Sequence, residues 1–182
     1  MNIGFVGGIR YFEINKRLID DFSNSPRFNL YYVGRKHPGC DLQEYCTARG
    51  VHNVFFLPAY LNEEKANIYL NIDIINSVYG DNTAEVRTLL PHRLYDCAIY
   101  KKPIFVSKNT YLYKIVAQYN LGLAVDLKKE NAKNIITAYL ECFDEELFKK
   151  GCDEFLKHAL PEKDNALKCV DKFIKTMIRG IK

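Results

Sequence analysis

Short, continuous apolar runs alternate along much of this chain with longer stretches in which apolar residues recur at helical spacing. The runs Ile3–Val6, Leu30–Val33, Val54–Leu57, Asp73–Val78 and Ile104–Ser107, with a weaker one at Leu123–Val125, mostly lack in-and-out alternation. Strands of a parallel sheet covered on both faces have that character. Between the runs, Ile14, Leu18, Ile19 and Phe22 share one helical face, and Leu112, Ile115, Val116 and Tyr119 share another. Asn62 before Glu63 and Glu64 predicts an N-cap with acids in the first turn of a helix reaching Leu70. The alternation is that of repeated βαβ units. Right-handed crossovers then predict an α/β fold, a doubly wound six-stranded parallel sheet in the order 3-2-1-4-5-6.

After residue 128 the pattern is helical only. It predicts helices over Ala132–Phe143 and Glu145–Lys157, a break at Ala159–Asn165, and a last amphipathic helix with Leu167, Val170, Ile174 and Met177 on one side. Residues 1–182 therefore read as one Rossmann-like domain, with sheet and crossover helices to about residue 127 and a C-terminal helical tail over 128–182. The sequence shows neither an internal repeat nor a low-complexity segment.

Composition narrows the class. A chain of 182 residues that is 48% hydrophobic can bury one sizeable core. The net charge is +4, from 26 basic and 22 acidic residues, and the basic ones are spread along the chain. That argues against nucleic acid and leaves room for a local anion site. Cys40, Cys46, Cys97, Cys142, Cys152 and Cys169 show no CxxC spacing, which predicts reduced, mostly buried thiols in a cytosolic protein. No apolar run approaches the roughly 18 residues of a membrane span, and the start MNIGFVGG lacks the cationic head of a signal peptide. A first strand that begins almost at the initiating methionine predicts a fragment or an excised domain.

In a doubly wound sheet, ligands bind beyond the carboxyl ends of the strands where the order reverses. The loops after strands 1 and 4 are the candidates. Gly7-Gly8, after strand 1, allows a tight turn with N–H groups facing an anion near a helix N-terminus, and Arg10 adds a cation. A plain turn remains the alternative reading. The segment has neither the GxGxxG of a dinucleotide site nor the GK[ST] of a P-loop, which disfavours a dinucleotide-dependent oxidoreductase. The polar segment YGDNTAEVRTLL, after strand 4, reads as a loop that closes over a ligand or as an exposed surface loop. Pro91 then opens a helix on which Arg93 and Asp96 are three apart, a spacing that also suits an ordinary surface ion pair. Asn109 and Thr110, after strand 5, suit a contact to a sugar or diphosphate, or a helix cap.

The order of Pro91, Arg93, Leu94 and Asp96, followed by an apolar helix and then Lys102-Pro103-Ile104-Phe105-Val106-Ser107, resembles the nucleotide-sugar-binding C-terminal half of GT-B glycosyltransferases. The retaining group 1 type of capsule, O-antigen and lipopolysaccharide assembly is the nearest in pattern. IGFVGGI, LYYVGR, NVFFLPAY, YLNIDIINSVY and YNLGLAVD resemble further segments of that half in the same order. Pro58 stands where the family usually has Gly, Arg93 where it has Lys, Asp96 where it has Glu, and Thr88 where a related acidic pair has its first Glu. The resemblance implies a nucleoside diphosphate sugar as donor, UDP- or GDP-linked, with no metal and no other cofactor. It implies Gly7, Gly8, Arg10 and Arg93 at the diphosphate, Asp96 at the ribose, Leu57, Ala59 and Tyr60 at the base, and Asn109 and Thr110 near the sugar. It also implies an acceptor domain N-terminal to this chain, a glycan or lipid-linked acceptor, and no turnover by this half alone. The last helix would then be free for self-association, and the longer protein would be cytoplasmic, peripheral at the inner face of the membrane. A GT-B nucleotide-sugar 2-epimerase and a non-enzymatic α/β binding module are the alternatives.

Overall fold

The structure, a computed structural model, describes residues 1–161. The expected last helix and Cys169 lie outside the described residues. Six parallel strands, β1 (Asn2–Val6), β2 (Asn29–Val33), β3 (Val54–Leu57), β4 (Ile74–Ser77), β5 (Ile104–Ser107) and β6 (Gly122–Val125), form one sheet in the order β3-β2-β1-β4-β5-β6. The helices are α1 (Phe12–Phe22), α2 (Leu42–Ala48), α3 (Lys65–Leu70), α4 (Ala84–Thr88), α5 (Arg93–Tyr100), α6 (Tyr111–Gln118), α7 (Ala132–Glu141) and α8 (residues 145–161). The predicted strand order and the C-terminal helical character are both present.

The apolar runs belong to strands covered on two faces. On one face Phe5, Leu30 and Tyr32 pack with Leu18, Ile19 and Phe22 of α1 and Ile136 of α7. On the other, Ile75, Ile104 and Val106 pack with Leu94 of α5, Val116 of α6 and Phe148 and Cys152 of α8. Each layer is a continuous buried cluster, the dominant favourable contribution to folding.

The boundaries differ from the sequence reading in ways that have local causes. Asn62–Glu64 forms a separate 3-10 turn rather than the start of α3. The Glu64 carboxylate accepts the Leu61 N–H at 2.7 Å, so the cap sits one residue earlier than expected and the α-helix begins at Lys65. Asp73 lies just outside β4, where its carboxylate accepts the Asn2 N–H at 2.7 Å and ties the start of β1 to that of β4. Of the expected break over Ala159–Asn165, residues 159–161 are helical in α8 and Ala159 packs against the second core layer, while 162–165 lie outside the described residues. Among the described residues Cys40, Cys46, Cys97 and Cys152 are buried, Cys142 is exposed, and all five are free thiols. No helix of the described residues is long and apolar enough to cross a membrane.

Asn53 joins three chain segments beneath α1. Its amide donates to the carbonyls of Phe22 at 2.8 Å and Phe28 at 2.7 Å, and its oxygen accepts the Asn24 N–H at 2.8 Å. Asn53→Leu strands two buried acceptors and one donor, and each such group costs about 1–3 kcal/mol. Chemical denaturation should show a loss of at least about 2 kcal/mol. A loss under about 0.5 kcal/mol would mean that water replaces these bonds at little cost.

Candidate functional site

The ends of β1 and β2 leave the sheet zipped together. Gly7 N–H donates to the Val33 carbonyl at 2.9 Å, Ile9 N–H to that of Arg35 at 2.9 Å, and His37 N–H to that of Ile9 at 3.0 Å. This pairing brings the Gly34 backbone against Gly7. A Cβ on Gly34 would lie 2.2 Å from the Gly7 carbonyl oxygen, and φ at Gly34 is +140°, so only glycine fits. Gly7 itself has φ +133°. The position its Cβ would occupy lies 3.5 Å from Cε1 of His92 and 3.6 Å from Nη1 of Arg93, while that of Gly8 lies 3.9 Å from Nε of Arg10. Three side chains able to donate to an anion therefore border Gly7-Gly8, at the switch point between β1 and β4. Tyr11, in a left-handed conformation with φ 59°, ends the loop and caps α1, and its ring meets Tyr79 edge-on with centres 5.3 Å apart.

Arg10 is exposed, whereas Arg93 is buried. Arg93 Nη1 donates to the Val6 carbonyl at 2.9 Å, and the guanidinium carbon lies 3.8 Å from the Phe5 ring centre and 5.1 Å from that of Tyr79. Its Nε is buried without a partner. Burial pulls the guanidinium pKa down to about 10, from an ordinary value above 12.

Asp96 is also buried, but it faces the other way. Oδ1 accepts Lys65 Nζ at 2.6 Å, Oδ2 accepts the Tyr69 hydroxyl at 2.9 Å, and His92 Nε2 stands 3.9 Å from Oδ2. Burial, with Asp96 adding to it, pushes the Tyr69 phenol well above its usual range. The three-residue spacing also suits contact between Arg93 and Asp96 as a surface ion pair. The structure pairs Asp96 with Lys65 of α3 and Arg93 with the end of β1, because α5 runs between those two elements. The surface ion pair is thereby overturned.

Leu57 and Ala59 are exposed and Tyr60 is half-buried; all three line a cavity of about 540 Å³ between β2, β3 and α3, together with Tyr31, Asn67 and Ile68. Burial raises the Tyr60 phenol, with Lys65 opposing and Asp96 reinforcing, so the cavity mouth and the Asp96 network share one electrostatic environment. Asn109 donates to Asp81 at 3.2 Å, and Asp81 also accepts Lys128 Nζ at 2.6 Å, which holds its carboxyl below the usual range. Thr110 is buried and caps α6, accepting the Tyr113 N–H at 3.1 Å and donating to the Ser107 carbonyl at 2.8 Å. Among the described residues no three His, Cys, Asp or Glu side chains gather as a metal site.

The sequence reading did not single out His92, Lys65 or Tyr69. His92 carried a usable signal, being the residue between Pro91 and Arg93 at a helix start. Lys65 and Tyr69 carried none, since they reach Asp96 only through the packing of α3 beside α5.

No protein-family model matches the sequence, and no curated protein matches it. Solved structures do share the fold. The C-terminal domain of a group 1 family glycosyl transferase, LpcC, from Francisella tularensis superposes with a TM-score of 0.58 at 16% identity, over 87% of this chain and 85% of that one. HepE from Anabaena in complex with UDP gives 0.70 at 14% identity, over 94% of this chain and 48% of that one. Sucrose-phosphate synthase from Thermosynechococcus elongatus gives 0.68 at 17%, over 97% and 45%. The six-stranded, Rossmann-like fold is thus that of GT-B C-terminal domains, and the chain spans about half the length of the last two proteins.

Arg93 generates a stability test. A buried cation without a carboxylate partner is expensive, and replacement of a buried ion by an apolar side chain of similar length is often neutral or stabilising. Arg93→Met should therefore leave the melting temperature unchanged or raise it. A loss of more than about 3 kcal/mol would instead assign Arg93 to holding β1 against α5.

Proposed function

We propose that this chain is the donor-binding half of a GT-B retaining glycosyltransferase. Its ligand is a nucleoside diphosphate sugar, UDP- or GDP-linked, bound without a metal. The acceptor groups belong to an N-terminal domain beyond these residues, and the acceptor is a growing surface polysaccharide or glycolipid. The observation that carries the reading is the convergence of Arg10, His92 and Arg93 on the glycine turn at the switch point of the sheet. The complex of HepE with UDP supports it.

The chemistry follows from where charge develops. Cleavage of the bond between sugar and diphosphate leaves negative charge on the departing phosphate, and fixed cations and N–H groups beside it lower the barrier. The exposed Arg10 reaches over Gly8 and supplies a mobile cation, while Arg93 supplies a rigid one beneath Gly7. The base lies in the cavity lined by Leu57, Ala59 and Tyr60, and the ribose lies between it and Asp96. A carboxylate has roughly four acceptor sites. Lys65 and Tyr69 take two of them, and the ribose hydroxyls take those that remain. Asn109 and Thr110 have internal partners, so their contribution to the sugar is at most the placement of the β5 loop.

Titration calorimetry of the 182-residue chain with UDP and GDP should detect binding, and no sugar transfer should accompany it. Arg10→Ala should weaken UDP by about 1.5–3 kcal/mol, the range of a charge-assisted hydrogen bond, and leave uridine unaffected. No binding of either nucleotide at millimolar concentration sinks the proposal. Equal losses for UDP and uridine would remove Arg10 from the diphosphate site.

A further inference from the structure

His92 caps the start of α5 at the edge of the glycine turn, and among the described residues its side chain makes no hydrogen bond. One side of its ring faces the open space where Gly7 lacks a side chain: Cε1 is 3.5 Å and Nε2 3.8 Å from the position a Cβ there would take. Nε2 is also 3.9 Å from Asp96 Oδ2, too far for a hydrogen bond, and about half of the side chain remains open to solvent. The imidazole thus lies between a buried carboxylate and the glycine turn bordered by cations.

The charged groups nearest it are Asp96 from its own helix and Lys65 from α3, while Arg93 shares the Gly7 side of the turn and Arg10 borders Gly8. Lys65 and Asp96 act on the ring directly, and Arg10 and Arg93 border the same glycine turn. Burial, which outweighs Asp96, and Lys65 together lower the His92 pKa below its ordinary value, so the ring is neutral near pH 7 in the empty protein. A diphosphate diester seated on Gly7-Gly8 adds two negative charges within reach of that ring. The local charge balance then reverses, and the protonated imidazole becomes the favoured form with an N–H to donate.

We infer that His92 binds the donor diphosphate as a proton-dependent ligand, taking up one proton when a nucleoside diphosphate sugar binds. The inference rests on the donor-site reading and adds to it a residue and a coupled proton. The sign of the coupling is fixed. The site gains a proton on binding at any pH above the depressed pKa of the empty protein and below the raised pKa of the complex. Affinity therefore rises as pH falls through that window and levels off once His92 is protonated in both states.

UDP-glucose is the probe, because both of its phosphates are esterified and its charge stays constant near neutrality, unlike the terminal phosphate of UDP. Its affinity for the wild-type chain should rise about tenfold between about pH 8.5 and 5.5, the change that a one-unit rise in a pKa on binding produces. His92→Gln, which keeps a polar side chain at a half-open position, should flatten that profile, with a melting curve to show that it remains folded. In NMR, the imidazole Cε1–H resonance missing from His92→Gln should titrate with a higher midpoint when UDP-glucose is saturating. A variant that keeps the wild-type pH slope, or a midpoint that saturating ligand leaves unmoved, overturns the inference while leaving the donor site standing. Failure of the wild type to bind either UDP-glucose or GDP-glucose at any pH overturns both.

Discussion

The fold and the candidate site depend on one close approach. Beyond the last residues of β1 and β2 the two chains stay paired, and they can do so only because Gly34 carries no side chain and Gly7 adopts φ +133°. A single Cβ on Gly34 would collide with the Gly7 carbonyl oxygen and force the β1 loop upward. The loop would then leave the N-terminal end of α5, and Arg10, His92 and Arg93 would no longer border one space. The geometry of the candidate site is thus set by a backbone contact rather than by any of the side chains that line it.

Most of the fold was legible in the sequence because a parallel sheet covered on both sides imposes a simple pattern. Runs such as Ile3–Val6 and Ile104–Ser107 are buried whichever face a residue points to, so they read as continuous apolar segments. Their spacing leaves room for right-handed crossovers and little else. The ends of elements were less legible. Glu64 closes a turn back to Leu61 and delays α3, a choice made by one side-chain hydrogen bond. Ala159 remains in α8, where it has a core to pack on.

The site divided along the same line. Gly7, Gly8 and Arg10 are contiguous, so the sequence displays them together. Asp96 and its partners Lys65 and Tyr69 are separated by 31 and 27 residues, and no local rule connects them. Helical spacing alone suggested that Arg93 and Asp96 meet, yet residues three apart on a helix choose other partners when different elements flank the helix on its two sides. Arg93 has aromatic rings and a carbonyl within reach toward β1. Asp96 has an ammonium and a phenol toward α3.

The ion pair between Lys65 and Asp96 has a consequence for the packing of α3 beside α5. Asp96 is buried, and a buried carboxylate stripped of its counter-charge is costly. Any displacement of α3 would carry the ammonium away from that carboxylate, so the pair works as a latch that keeps the two helices in register.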